Sequence, residues 1–291
     1  MDLELLSIQL FSGLALGANL VMVALGLTIV FGMLGIVNFA HGALFMVGAY
    51  AGLWIAAQTG SFWWALVLAP ILIGIFGMLI ERFLIRPLYG RSPDDPLLLT
   101  FGLGYVLVES VRITFGSDGI PFSAPPELQG VVDLGFGYFP LYRLFVVGLV
   151  AVVLLVLWVA LEETRFGLIV RSGARDPLIM PVLGVDVCKL WLLVFGLGVG
   201  LTALGGVLAA PMRAVSPEMG TLVLAQAFVV TVIGGMGSLL GAVVAGLIVG
   251  VVVSMTALFA PEMATIVMFA LMALILLVRP QGLFGRQGVG A

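Results

Sequence analysis

Side chains able to do chemistry are scarce in this sequence, and the densest group lies in Gly32-Met33-Leu34-Gly35-Ile36-Val37-Asn38-Phe39-Ala40-His41-Gly42. That stretch places the chain's one histidine, an asparagine and three glycines between two long hydrophobic runs. An imidazole titrates near neutral pH, but a lone histidine with no carboxylate close in sequence is weak support for a proton relay. Asn38 suits the N-cap of a helix starting near Phe39, and Gly32 and Gly35 loosen the end of the run before it. Two arrangements fit. In one, the stretch is a capped helix boundary at the membrane surface, with His41 solvated or bonded to a neighbouring carbonyl. In the other it is a break at membrane depth, where irregular backbone survives only if buried in protein or lining a water-filled cavity, and helix ends there face a polar solute.

A second break, Ile233-Gly234-Gly235-Met236-Gly237-Ser238, echoes the first: Asn38…Gly42-Ala43 precedes one apolar run and Ser238…Gly241-Ala242 another. Paired interruptions in the two halves of a transporter point to a translocation path, although a similarity this short and rich in glycine leaves an internal repeat open. Other chemistry is missing. Lys189 is the sole lysine and Leu190 follows it, so the chain has no G-x-x-x-x-G-K-[ST] phosphate loop. No H-E-x-x-H occurs, and no carboxylate pair sits within one apolar run to do acid–base work. Glu109 and Arg112, three apart on one helix face, read as a local pair. One cysteine, Cys188, and one histidine leave no cluster for a structural metal. No catalytic residue is therefore assigned.

The elements that must position these residues are set by composition. Hydrophobic residues make up 62% of the 291 positions and charged residues 9%, against roughly 45–50% and 25% in soluble domains. Windows of about 20 apolar residues, enough for a helix to cross roughly 30 Å of hydrocarbon, recur along the whole length. Runs such as Val146–Leu161 are apolar on every face, unlike the alternating strands of a membrane barrel. The sequence thus predicts an all-α, polytopic transmembrane helical bundle of about eight to nine spans, with broken or re-entrant helices near 32–42 and 233–239. The spans fall near 5–31, 40–57, 62–85, 96–114, 140–161, 189–211, 220–236, 239–259 and 262–279. Membrane lipid is the implied surroundings. A net charge of −3 gives no footing for nucleic acid.

Basic residues follow the third span (Arg82, Arg86, Arg91), the fifth (Arg165, Arg171, Arg175, with Lys189) and the last (Arg279, Arg286), which assigns those connections and the C-terminus to the cytoplasm. The 115–139 loop carries Asp118, Glu127 and Asp133 with no basic residue and faces outward; Arg143 and Arg213 run against the rule. Glycine pairs four apart, such as Gly13 with Gly17 and Gly48 with Gly52, predict close helix packing.

The run GLTIVFGMLGIVNFAHGALFMVGAY, residues 26–50, resembles the N-terminal signature of the branched-chain amino-acid permeases of ATP-binding-cassette importers. Residues 163–187, 195–211, 232–250 and the ending LVRPQGLFG at 277–285 are similar to that family in order and spacing. The resemblance implies one permease domain spanning 1–291, in a bacterial or archaeal plasma membrane, that pairs with a second related permease, two cytoplasmic ATPase subunits and an extracytoplasmic amino-acid-binding protein. It implies no cofactor on this chain, with ATP used by the partners. It also implies a cytoplasmic coupling loop at about 162–188 that seats in the ATPase, with Arg165, Gly167, Arg171, Arg175, Asp176 and Gly184 in or around it. Where relatives commonly show Glu-Ala-Ala, this chain has Leu178-Ile179-Met180-Pro181, and the proline removes a backbone donor and limits helix length. Alternating access then makes Asn38, His41, Gly42, Gly234, Gly235 and Gly237 candidates for the substrate path or its gate. Similar permeases carry urea or short amides, and a stand-alone secondary transporter is the rival of a different class.

Overall fold

The computed structural model describes residues 3–92, 94–133, 135, 137–176 and 179–285. Among these residues ten α-helices carry the fold: α1 (Leu3–Leu34), α2 (His41–Thr59), α3 (Phe62–Ile80), α4 (Asp94–Phe115), α5 (Leu141–Glu162), α6 (Arg165–Arg175), α7 (Val187–Ala209), α8 (Met219–Gly234), α9 (Leu239–Phe259) and α10 (Ala264–Val278). One small antiparallel hairpin, β1 (Val131–Asp133) with β2 (Tyr138–Pro140), lies in the loop between α4 and α5. Among the described residues, eight helical segments are long and apolar enough to cross a membrane, and α8 is a shorter apolar helix. The all-α polytopic bundle expected from composition is the fold observed.

Helix α1 is the axis. Its most apolar window is 83% buried, whereas that of α10 is 6% buried, so α1 packs on protein and α10 on the surroundings. The glycine spacing explains the close contacts. Gly17 of α1 and Gly250 of α9 leave no room for a Cβ between the two backbones, and Gly48 of α2 does the same against Ala203 of α7. Helices without a hydrophobic drive to associate in lipid gain van der Waals contact by such close approach.

The two ends of the bundle have different characters. At one end, the start of α1, the end of α2 and the start of α5 meet: Phe62 packs on Phe122 and Tyr142, and Arg143 donates to Ser12 Oγ at 2.8 Å. The acidic 115–139 loop lies here. The opposite end gathers the ends of α1, α3, α5 and α8 with the starts of α7 and α9, and with them the basic connections that the sequence groups together. Arg286 lies outside the described residues.

Candidate functional site

The two glycine-rich breaks are built differently. After α1 ends at Leu34, residues 35–40 turn back into the bundle, and α2 begins beside the middle of α1 rather than at its end. His41 Nε2 sits 2.9 Å from the Val23 carbonyl, which lies about 16 Å of helix back from Leu34 at 1.5 Å per residue. Gly35 makes the reversal with φ +65°, a backbone conformation that disfavours any side chain. The irregular stretch is satisfied from within: Ala40 N–H donates to Asn38 Oδ1 at 3.0 Å and Phe39 N–H to the fully buried Thr100 Oγ1 at 3.1 Å. Hydrocarbon offers no partner to free backbone groups, so a dip into the bundle requires such replacements. Asn38 therefore caps the turn before the helix, and α2 starts at His41, two residues later than the sequence suggests.

His41 is fully buried, which removes the solvated arrangement. Its Nε2 faces both Val23 O and Thr202 Oγ1, the latter at 2.8 Å, while Thr202 donates its own hydrogen to Gly198 O at 2.9 Å. These partners together assign the proton to Nε2, shared between a carbonyl and a hydroxyl oxygen, and leave Nδ1 as an acceptor with no partner among the described residues. His41 thus ties the start of α2 to the middles of α1 and α7.

Helix α8 also begins inside the bundle. Its start packs against that of α2 so tightly that neither Gly42 nor Gly220 has room for a Cβ against the other's carbonyl. From this meeting point the helices diverge. Helix α2 runs to the end where α1 begins, and α8, only 16 residues or about 24 Å long, runs to the end where α1 finishes. Residues 213–218 complete the crossing as irregular chain, held where Val215 exchanges backbone hydrogen bonds with Ile120 at 2.9 Å. Sequence reasoning assigned a span at 220–236 but missed this second deep start. The proximity of Pro211, Ser216 and Pro217 to an unusually short apolar run is the signal that would have suggested it.

Beside the paired starts lies a cavity of about 230 Å³, lined on its apolar side by Phe39, Ala43, Phe101, Val108 and Leu224, with Gly220 and Thr221 from the start of α8. Its polar side holds Glu109 and Arg112. Arg112 donates to Glu109 at 2.6 Å and, across the cavity wall, to Glu218 at 3.0 Å. The local pair expected from the sequence is therefore part of a triad that reaches the chain just before α8. Asn38, His41 and Gly42 lie directly behind the wall and hold its position.

Gly234, Gly235 and Gly237 lie elsewhere, in a turn at the end of the bundle where α1 stops. Gly237 packs on Gly32, and Gly235 (φ +98°) is covered by the C-terminal stretch, whose Leu283 and Phe284 N–H groups donate to the carbonyls of Ile233 and Gly234. Ser238 Oγ caps Gly241 N–H at 3.1 Å and starts α9. The second break is a capped turn, not a second dip.

The basic end carries the 162–188 segment. Thr164 Oγ1 caps α6 at Gly167 N–H, Gly167 lies flush on Leu161, and Arg171 pairs with Glu162. Arg165 is exposed, and Arg175 is the last residue of α6. Asp176 Oδ1 accepts from Ile179 N–H at 3.3 Å, leading into a short 3-10 turn, Met180–Leu183, closed by Gly184 at φ +77°. Pro177 and Leu178 lie outside the described residues. Pro181 sits in the first positions of that turn, where a missing N–H is tolerated. Met180 is buried, whereas Ile179, Val182 and Leu183 are exposed, the last two by 85% and 69%. Next to this segment, Glu81 at the end of α3 is fully buried and accepts from Arg86 Nε (3.1 Å), from the Arg86 guanidinium (2.7 Å) and from Tyr89 O–H (2.8 Å). Arg86 also donates to Cys188 O in the first turn of α7 at 3.0 Å, and Trp191 stands edge-on to Tyr89. Burial, then the Glu81 carboxylate, holds the Tyr89 phenol far above its ordinary value, so it remains a donor. The composition-based sequence reading passed over this cluster.

A family model described as the branched-chain amino acid transport system / permease component matches residues 9–276. The chain belongs to this permease family. It is 30% identical to the high-affinity branched-chain amino acid transport system permease protein LivH of Escherichia coli (strain K12), over 97% of this chain and 96% of that one. It is 32% identical to the corresponding protein BraD of Pseudomonas aeruginosa over the same shares. The permease protein LivM of Escherichia coli is more distant, at 28% over 90% of this chain and 67% of the other. The resemblance read from residues 26–50 thus extends along nearly the whole permease.

Proposed function

We propose that the permease moves branched-chain amino acids across the plasma membrane as one subunit of an ATP-driven importer. It works beside a second related permease, two ATPase subunits and an extracytoplasmic binding protein. The observation that carries the reading is the pair of helix starts, α2 and α8, meeting inside the bundle at the wall of a largely apolar cavity. An anchor or scaffold has no use for irregular backbone at that depth, which must be satisfied bond by bond, whereas transporters place such starts at their solute path. Family membership supports the substrate class through the names borne by LivH and BraD.

Asn38, His41 and Gly42 act in this reading as supports of the path wall, and Gly234, Gly235 and Gly237 as the pivot where α1, α9 and the C-terminal stretch meet. The segment from Arg165 to Gly184 is the coupling element, with Ile179, Val182 and Leu183 as the apolar surface offered to the ATPase and the C-terminus on the cytoplasmic side. This chain holds no cofactor of its own, since ATP is bound and hydrolysed by the partners. The test is reconstitution of the four kinds of subunit in liposomes. The expected result is ATP-dependent leucine uptake that isoleucine and valine compete for and urea does not. Uptake of urea or a short amide instead would replace the substrate class, and uptake by the purified chain alone without ATP would replace the importer by a secondary carrier.

A further inference from the structure

We propose that Arg112, Glu109 and Glu218 form the charged end of a transit site that reads the α-ammonium and α-carboxylate of a free amino acid, while its side chain lies against Phe39, Val108 and Leu224. This inference rests on the permease reading and adds to it the groups that handle the solute. Three observations converge. First, the lining that α4 supplies runs from Phe101 through Val108 to Glu109 and Arg112, so the charged pair falls toward one end of the cavity wall, and the volume of about 230 Å³ suits a small solute; drug-sized ligands take roughly 300–1,000 Å³. Secondly, the three charged side chains are between a third and three-fifths exposed on otherwise apolar helices. Glu109 and Arg112 lie in the last two turns of α4, and Glu218 follows the Val215–Ile120 bridge by three residues, so the triad sits toward the end of the bundle that carries the 115–139 loop, where charges meet water or a partner subunit rather than lipid. Thirdly, the charges do not balance. One guanidinium meets two carboxylates, which leaves a surplus negative charge for an ammonium, and Arg112 engages two of its five N–H donors, which leaves donors for a carboxylate.

A zwitterion carries both signs within a few bonds of each other, and the triad offers both signs at 2.6 and 3.0 Å separations. Neutral urea or an amide can hydrogen-bond to the triad but makes no ion pair with it. Exposed ion pairs are weak, about 0.2–1 kcal/mol each, so a passing solute can replace them and leave again, as transit requires.

The experiment uses the complete transporter in liposomes. Removing Arg112 alone leaves two facing carboxylates, so the decisive variant is the neutral triple R112Q/E109Q/E218Q, compared with R112Q and with the charge-retaining R112K. Leucine uptake and leucine-stimulated ATP hydrolysis are measured in the same vesicles. The expected result is uptake and leucine stimulation of ATP hydrolysis reduced about tenfold or more in R112Q and the triple, as loss of charged hydrogen bonds predicts, with partial recovery in R112K and with the four kinds of subunit still co-purifying. Uptake by the triple within about twofold of the unmodified transporter overturns the inference. Failure of the permease reading is distinct, because the unmodified transporter itself would then show no ATP-dependent amino-acid uptake.

Discussion

The Glu81 cluster permits a prediction whose size follows from its geometry. Glu81 is fully buried and Arg86 is one-quarter exposed, and the two share a bidentate contact to which Tyr89 adds a third hydrogen bond. Replacing one partner of a buried pair leaves the other charge uncompensated, at about 3–5 kcal/mol. Water reaches one side of Arg86, which places Glu81→Met near the lower end, about 3 kcal/mol. The double variant, Glu81→Met with Arg86→Met, removes both charges and fills a similar volume. Exchanges of that kind are close to neutral or stabilising, although here Tyr89 O–H and Cys188 O lose their partners and about 1–2 kcal/mol remains lost. Thermal or denaturant unfolding of the purified permease in mild detergent, run as a double-mutant cycle, measures the difference. The double variant is expected to be more stable than Glu81→Met alone. If Glu81→Met costs less than about 1 kcal/mol, the value of an exposed pair, the claim that this cluster fastens the α3–α4 connection to α7 is wrong.

Three further outcomes are expected. Thr202→Val keeps the shape but leaves His41 Nε2 with Val23 O as its only acceptor, and should lower stability by about 1 kcal/mol in the same unfolding assay. Val182→Asp and Leu183→Asp change only exposed surface and should leave the permease folded, yet prevent co-purification of the ATPase subunits, which a pull-down reads directly. Asp186 caps α7, and hydrogen bonding from Lys189, chiefly its backbone N–H, holds the carboxyl below its ordinary range. A depressed folded value means the stabilisation is complete above the ordinary carboxylate range and is lost as pH falls through the folded value. The stability gap between wild type and Asp186→Ala is therefore expected at neutral pH and should close on acidification, as unfolding curves over a pH series will show.

How much of this was legible in the sequence varied with the physics involved. Spans were legible because hydrophobicity is local: nine apolar runs became nine apolar helices, and the polar 162–188 interval became α6 and the 3-10 turn. The break at 32–42 was legible as a break because glycine, asparagine and histidine are out of place in an apolar run. Its depth was not, because depth is set by contacts from His41 to Val23 and Thr202, the latter 161 residues away. The same limit hid the triad. Glu109 and Arg112 are three apart and visible as a pair, but Glu218 is brought to them only by the descent of residues 213–218. Both breaks are present, but glycine does not tell their depths apart, since the same residue type serves a deep reversal at Gly35 and a surface turn at Gly237.

The contacts of α7 supply a physical route between the two ends of the proposed mechanism. Its first turn receives Arg86 at Cys188 O, immediately after the 179–184 turn. Its middle holds His41 through Thr202 and lies flush on Gly48 at Ala203, so it grips α2 at its start and about two turns further on. Side chains packed this closely transmit displacement rather than absorb it. In the proposed mechanism, a tilt of α7 driven from the 162–188 segment would carry the start of α2 with it. That start, through Gly42 against Gly220, is one wall of the junction where α8 begins and the cavity opens. The buried carboxylate of Glu81 has a reason to be there on this account. It locks the α3–α4 connection to the base of α7, so that a push at the basic end turns several helices together rather than bending one.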